Sequence, residues 1–225
     1  HAAHSGREIV KVLIRVAVDS QAQTTEMLFG DVQNAVEQIL PNLPAYAPPL
    51  NAMHLVMAII EEAVWSGKSI LELKARLVEQ GNQYSLWSSE AKKKISSYAF
   101  NLIPDNASIF TFTLSETVLY SLQQIWEQGK RFSVFVTESR PNNDGLMTAT
   151  RLSSCGIPVV YGLDASIPEF ISRSDLVVSG SEAVLESGNV ICKVGTRIVA
   201  LFARDYQKPF YVLVDTMKFH VSSRV

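Results

Sequence analysis

Residues 132–178 read FSVFVTESRPNNDGLMTATRLSSCGIPVVYGLDASIPEFISRSDLVV, and this stretch decides the fold. Three short apolar runs in it are each followed by polar residues: Phe132–Val136, Pro158–Leu163 and Leu176–Val178. Helical spacing fills the intervals between them, at Leu146–Cys155 and at Ile167–Ser172. Strands that alternate with helices predict parallel pairing, right-handed crossovers and helices on both faces of the sheet.

The same alternation extends outward in both directions. Further strands and helices are predicted at Ile109–Thr113, Val118–Glu127, Arg197–Asp205 and Phe210–Val214. Residues 5 to about 104 instead show helical spacing throughout, with capping-box patterns at Ser5–Glu8 and Ser69–Glu72 and breaks expected at Pro41 and Gly81. The sequence therefore predicts an α/β protein, with a helical domain over 1–105 and a Rossmann-like parallel-sheet domain over 106–225.

Composition excludes several classes of protein. The chain of 225 residues is 47% hydrophobic, with a formal net charge of −2, so it has no basic field for direct binding of nucleic acid. No apolar run approaches the roughly 18 residues of a membrane span. The two cysteines form no CxxC pair and the four histidines are scattered, which predicts a reduced, cytoplasmic protein without a metal site or cofactor.

A ligand of an open α/β sheet binds beyond the carboxyl ends of the strands, so the residues that follow each strand are the candidates. The predicted ligand-binding residues are Ser139, Arg140, Asp164, Glu182, Lys193, Gly195 and Thr196. The guanidinium of Arg140 suits a phosphate or carboxylate, and Gly195-Thr196 is expected to open a helix whose amino end, with Lys193, attracts an anion. No GxGxxG or GxxxxGK[ST] motif occurs.

Structural interpretations of the same residues stay open at this point. Arg140 could form an ion pair with Glu138 or Asp164 instead of binding a ligand, and neither interpretation is favoured by the sequence. Lys193 could be a surface lysine beside an ordinary helix cap, which is the favoured interpretation from that segment alone.

The stretch from Phe132 to Phe219 resembles the translation initiation factor 2B alpha/beta/delta family, whose relatives include ribose bisphosphate isomerase and methylthioribose phosphate isomerase. The matching pieces are Thr137-Glu138-Ser139-Arg140-Pro141, Gly145, Gly156-Ile157-Pro158-Val159, Asp164-Ala165, Asp175-Leu176-Val177, Gly180-Ser181-Glu182, Gly188, Lys193-Val194-Gly195-Thr196, Lys208-Pro209-Phe210 and Lys218-Phe219. The family continues well beyond its Lys-Phe, so the resemblance implies a chain that is short at its carboxyl end.

The resemblance also bears on catalysis. The isomerases carry a cysteine after the first strand of the α/β domain, an aspartate after the fourth and an asparagine before the lysine. This chain has Thr113, Glu182 and Cys192 at these positions, and it lacks a counterpart of their arginine-glycine-alanine phosphate element near residues 31–35. Isomerisation of an aldose to a ketose needs an acid/base pair at neighbouring carbons, and a threonine does not titrate near neutral pH.

Two functions follow from the resemblance. The first is a non-catalytic regulatory or assembly subunit that binds a nucleotide or sugar phosphate. Its implied partners are further copies of itself (a dimer through the α/β domains), related family subunits and initiation factor 2. The alternative is a divergent sugar-phosphate isomerase with Glu182 as base and Ser115 or a water as its partner. A third hypothesis is a plain sensor of a phosphorylated metabolite.

Overall fold

The computed structural model describes residues 2–43 and 47–219. These residues form two compact units, each with its own core. The first unit includes residues 2–43, 47–89, 182–188 and 217–219, and the second includes 90–181 and 189–216. The domain boundary expected after residue 105 stays a prediction.

The amino-terminal region is helical, as predicted. Its helices are α1 (Ala2–Asp19), α2 (Thr25–Ile39), α3 (Ala47–Trp65) and α4 (Ile70–Leu102). Apolar side chains at helical spacing meet in one core, and Leu13, Leu28, Ile60 and Leu77 are fully buried there. The two prolines after Ala47 are accommodated because the first turn of a helix needs no amide donor.

Two predictions about these helices are wrong. The Ser5–Glu8 pattern does not start α1, because that helix already begins at Ala2. Gly81 does not end a helix, because α4 runs without interruption through it to Leu102. A Cβ at position 81 would lie 2.4 Å from the Ile14 side chain, so glycine is needed there for close packing of α4 against α1.

The α/β unit contains a five-stranded parallel sheet in the order β3-β2-β1-β4-β7. Its strands are β1 (Ala107–Thr111), β2 (Phe132–Thr137), β3 (Val159–Gly162), β4 (Leu176–Ser179) and β7 (Phe210–Val212), with the two-residue strands β5 (Ala183–Val184) and β6 (Val190–Ile191) outside it. The helices are α5 (Glu116–Glu127), α6 (Asp144–Ser153), α7 (Ile167–Ser172) and α8 (Thr196–Asp205).

Alternate residues of the central strands point to opposite faces, and both faces are covered. On β1, Ile109 packs in one core with α5, whereas Phe110 packs in another with α7 and α8. Val177 of β4 and Phe135 of β2 share the core of Phe110. Burial on both faces explains why these strands read as continuous apolar runs.

The predicted fold class, a helical amino-terminal region followed by a parallel sheet, is confirmed. The main differences lie at element ends. α6 begins at Asp144 rather than Leu146, and β7 ends at Val212 rather than Val214.

Candidate functional site

The order of strand addition reverses between β1 and β4, which is where an open α/β sheet forms its ligand crevice. Ser115, in the loop after β1, caps helix α5: its Oγ accepts a hydrogen bond from the Val118 amide at 3.4 Å. Gly180 follows β4, and a Cβ there would lie 2.3 Å from Ser115 Oγ. The two loops are in close contact at Ser115, whose hydroxyl is engaged as a cap.

The loop after β2 is held by the carboxylate of Asp164. The backbone amide of Ser139 donates to Asp164 Oδ1 at 2.8 Å, and that of Arg140 donates to Oδ2 at 2.9 Å. Burial opposes ionisation of Asp164, but these two amides, together with the Lys193 charge, hold its pKa below the ordinary value of 3.8. Asp164 therefore positions the loop after β2, and its carboxylate is already engaged by two backbone amides.

Arg140 remains available to a ligand. Its side chain is exposed, and its guanidinium donates one hydrogen bond, to Asn143 Oδ1 at 3.2 Å. Among the described residues it makes no ion pair, so the structural pairing with Glu138 or Asp164 that the sequence left open is not found. The planar guanidinium group keeps further N–H donors, which can bind two oxygens of one anion.

Lys193 is already engaged within the protein. Its ammonium donates to Asp144 Oδ2 at 2.6 Å and to the Ser139 carbonyl oxygen at 2.9 Å. Only 15% of the lysine side chain and 19% of the aspartate side chain are exposed. The interpretation of Lys193 as a surface lysine is therefore wrong, and its counter-charge is a carboxylate that the sequence did not single out.

Thr113 contacts the same carboxylate as Lys193, so Thr113, Asp144 and Lys193 form one cluster. Its hydroxyl donates to Asp144 Oδ2 at 3.3 Å, and its carbonyl oxygen accepts a hydrogen bond from the Thr148 hydroxyl at 2.9 Å. Its φ of +64° is in the left-handed region, which a β-branched residue seldom adopts. Thr113 is thus held in a fixed conformation beside Lys193 and Asp144.

Gly195 and Thr196 open helix α8, as predicted. Gly195 has a φ of +99°, and a Cβ there would lie 2.7 Å from the Phe112 ring, so glycine fits for two reasons. The Thr196 hydroxyl is buried and finds no hydrogen-bond partner within the described chain. The amino end of α8 has no side-chain cap among the described residues, but the amides of Thr196 and Ile198 already donate to the carbonyl oxygens of Lys193 and Gly195, which leaves the Arg197 amide for an anion.

The remaining candidates are Glu182 and the two cysteines. Glu182 is half-buried and belongs to the segment 182–188, which groups with the helical unit. Cys155 is exposed at the end of α6, where its sulfur contacts the Gln123 amide nitrogen at 3.3 Å. Cys192 lies near the crevice, with Sγ 3.6 Å from the Gly180 carbonyl oxygen.

The two predicted cations line separate cavities. Arg140 and Asp164 border one of about 480 Å³, whose other walls are mostly apolar side chains such as Phe112. Lys193 borders another of about 550 Å³, together with Thr196 and Arg197. Val194 and Gly195 line both cavities, so the crevice predicted from the sequence consists of two adjoining cavities.

Sequence reasoning missed Asp144, which contacts both Lys193 and Thr113. The available signal was its position directly before Gly145, in the first turn of α6, where an acidic residue also favours the helix dipole. Over residues 2–43 and 47–219, no cluster of three metal-ligating side chains occurs, and no helix there is long and apolar enough to cross a membrane.

The fold and site define an α/β protein with a helical region before its sheet and basic residues at the carboxyl edge of that sheet. The model of the initiation factor 2 subunit family matches residues 1–225, and the chain belongs to this family. The family resemblance of the sequence is thereby confirmed.

The curated relatives include both factors and enzymes. Translation initiation factor eIF2B subunit alpha of Dictyostelium discoideum is 34% identical over 218 residues, which cover 93% of this chain and 66% of that protein. Ribose 1,5-bisphosphate isomerase of Thermococcus kodakarensis is 29% identical over 204 residues, covering 91% of this chain and 63% of the enzyme. The chain thus spans about two thirds of the length of these relatives.

Solved structures show the same mixture. The translation initiation factor eIF-2B of Pyrococcus horikoshii OT3 superposes with a TM-score of 0.84 at 26% identity, covering 98% of this chain and 74% of that one. The 5-methylthioribose 1-phosphate isomerase of the same organism gives 0.80 at 22% identity, covering 97% and 64%, which shows a shared fold only.

Proposed function

We propose that this chain is a non-catalytic, cytoplasmic subunit of the initiation factor 2B type, built from domains 1–105 and 106–225. It assembles with further copies of itself or with related subunits, and its α/β crevice binds a phosphorylated small molecule, a nucleotide or a sugar phosphate. Family membership and the eIF2B alpha relative support the first part of this proposal. Initiation factor 2 is the proposed target of the assembly.

The observation that carries the non-catalytic assignment is the environment of Thr113. At the position where the resemblance expects a cysteine of the isomerases, this chain has a hydroxyl that donates to Asp144. An aliphatic hydroxyl does not ionise near neutral pH, so it cannot exchange a proton with a substrate carbon as a thiol does. The proton-transfer step of isomerisation therefore lacks one of its two groups.

The remaining side chains support binding rather than catalysis. Ser115, the other candidate acid or base, is engaged as the cap of α5 and is covered by Gly180. Arg140 keeps free donors at the rim of an apolar cavity, which suits an anionic group attached to a less polar body.

A divergent ribose 1,5-bisphosphate isomerase is the second candidate. The isomerase relatives support it, as does Glu182, which retains a carboxylate where the resemblance places the catalytic aspartate. Its extra methylene would displace the carboxylate by about an ångström, a change that can cost on the order of a hundredfold in rate.

Ligand-induced stabilisation tests the proposal. The purified chain is heated with AMP, GDP, ribose 1,5-bisphosphate, methylthioribose phosphate or free phosphate, beside an Arg140→Ala/Lys193→Ala variant. A ligand at 100 times its dissociation constant adds about 2.7 kcal/mol of stability. We expect at least one compound to raise the melting temperature of the wild type and to leave that of the variant unchanged. No rise with any compound would refute the ligand-binding part of the proposal.

A further inference from the structure

The two cations at the sheet edge are in different electrostatic states. Lys193 lies 2.6 Å from the carboxylate of Asp144, and both side chains are largely buried. Arg140 is exposed and its guanidinium contacts a neutral amide oxygen of Asn143. One cation is therefore neutralised by its neighbour and the other is not.

We propose that Asp144 removes Lys193 from anion binding, so that Arg140 alone binds the anionic group and the Lys193–Asp144 pair forms a neutral subsite for hydroxyl groups. This inference rests on the proposed ligand site: it assigns anion binding to Arg140 and hydroxyl binding to the Lys193–Asp144 pair. It predicts a preference for polyol monophosphates over bisphosphates.

Hydrogen-bond geometry supports a hydroxyl subsite. Two of the three ammonium protons of Lys193 are used, by Asp144 Oδ2 and by the Ser139 carbonyl, which leaves one donor. Asp144 Oδ2 accepts from both Lys193 and Thr113, whereas Oδ1 makes no hydrogen bond among the described residues. A donor and an acceptor side by side match an alcohol, which both donates and accepts.

The carboxylate of Asp144 weakens the attraction between Lys193 and an anion. A phosphate that approached the Lys193 ammonium would also approach the carboxylate bonded to it, and repulsion from Asp144 would offset most of the attraction. Asp144→Asn keeps the size and one acceptor oxygen but deletes the negative charge. The lysine charge then loses its directly bonded carboxylate, while Asp164 still interacts with it from a greater distance. Affinity for phosphate should rise by roughly tenfold at moderate ionic strength.

The test uses the full chain with inorganic phosphate as probe, titrated at constant ionic strength and followed by calorimetry and by the phosphate-induced shift in melting temperature. Four proteins are compared: wild type, Asp144→Asn, Asp144→Asn/Lys193→Met, and Asp205→Asn as the matched control. Asp205→Asn makes the same chemical change at the exposed carboxyl end of α8.

The expected result is a roughly tenfold gain in phosphate affinity for Asp144→Asn, none for Asp205→Asn, and a return to wild-type affinity in the double variant, where both charges are gone. Equal affinity of Asp144→Asn and wild type would overturn the inference. So would a double variant that binds phosphate far more weakly than wild type, because Lys193 would then contribute despite Asp144.

The outcomes separate this inference from the proposed function. Stabilisation of wild type by a metabolite, with no gain in Asp144→Asn, would refute only the role of Asp144. A gain in Asp144→Asn, with no metabolite bound by wild type, would refute the proposed ligand and leave the role of Asp144 standing.

Discussion

At the scale of one residue, the loop after β2 leaves no space for a side chain at position 145, where the chain has glycine. A Cβ at this position would lie 1.7 Å from the carbonyl oxygen of Thr137 and 2.8 Å from its carbonyl carbon. Both are backbone atoms of the strand end, so they cannot move aside as a side chain could. The contact places the start of α6 directly against the loop that carries Ser139 and Arg140.

Gly145→Ala should lower the free energy of unfolding by about 3 kcal/mol, since the added methyl overpacks backbone. Chemical denaturation measures this change. Gly30→Ala is the matched control: apart from its chain neighbours and the backbone of its own helix, no atom of the described residues lies within 4 Å of a Cβ there, and the site is inside α2. That control should gain up to about 1 kcal/mol from helix propensity. A Gly145→Ala protein as stable as wild type would show that the loop and α6 are not in contact.

Asp164 gives the loop a pH-dependent stability. Because its pKa in the folded protein lies below the unfolded value near 3.8, its contribution is full above that value and is lost as the pH falls through the folded pKa. Asp164→Asn should lower the free energy of unfolding by about 2 kcal/mol at pH 7, through the loss of charge-assisted hydrogen bonds.

Melting temperatures of wild type and Asp164→Asn, measured from pH 7 down to about pH 2, test this linkage. The difference between the two proteins should be constant at neutral pH and shrink below pH 4. A difference that stays the same across the whole range would contradict the assignment, because a purely steric effect of the substitution does not titrate.

Some of the residues at the site were predictable, whereas Asp144 and the pairing of the charged groups were not. The rule that ligands bind beyond strand ends selected Ser139, Arg140 and Asp164, and the structure places them together. The sequence could not show that Asp164 binds amides rather than the Arg140 guanidinium, or that Asp144 reaches Lys193 across 49 positions. Contacts between distant segments depend on backbone geometry that composition and spacing do not encode.

At the scale of the elements, local signals were right at some boundaries and wrong at others. The capping box at Ser69 and Glu72 is confirmed: the Ser69 amide donates to Glu72 Oε2 at 3.0 Å, and the Glu72 amide to Ser69 Oγ at 3.3 Å. The break expected at Gly81 was wrong because glycine there serves packing against α1. A glycine inside a helical pattern can therefore serve packing rather than end the helix.

Ser115→Ala tests whether this serine is a cap or a catalytic group. Loss of the hydrogen bond to the Val118 amide should cost about 1 kcal/mol of stability and leave ligand-induced stabilisation unchanged. Thr24→Ala, which removes the equivalent cap of α2, is the control and should cost a similar amount. If Ser115→Ala abolishes ligand binding at unchanged stability, the hydroxyl faces the ligand instead.

At the scale of the whole molecule, one edge of the sheet exposes apolar side chains. Strand β3 is an edge strand, and Leu163 after it is 62% exposed, with Val160 and Tyr161 each 42% exposed. Exposed edge strands of this kind pair or pack with another chain.

We expect the chain to self-associate through this edge of the α/β unit. Leu163→Asp should raise the dissociation constant of the assembly by at least about tenfold, since it places a charge in an apolar contact. Light scattering after size exclusion measures the mass. Leu71→Asp changes a 77% exposed leucine of α4 and should have no effect. A monomeric wild type at all concentrations would refute self-association.

The central claim, that the chain binds but does not isomerise, is tested most directly by turnover. Purified protein is incubated with ribose 1,5-bisphosphate at a concentration that stabilises it thermally, and ribulose 1,5-bisphosphate is quantified over hours. We expect no product above a protein-free blank, because Thr113 supplies no titrating group. Product that accumulates with wild type and disappears with Glu182→Gln would contradict it and identify an isomerase.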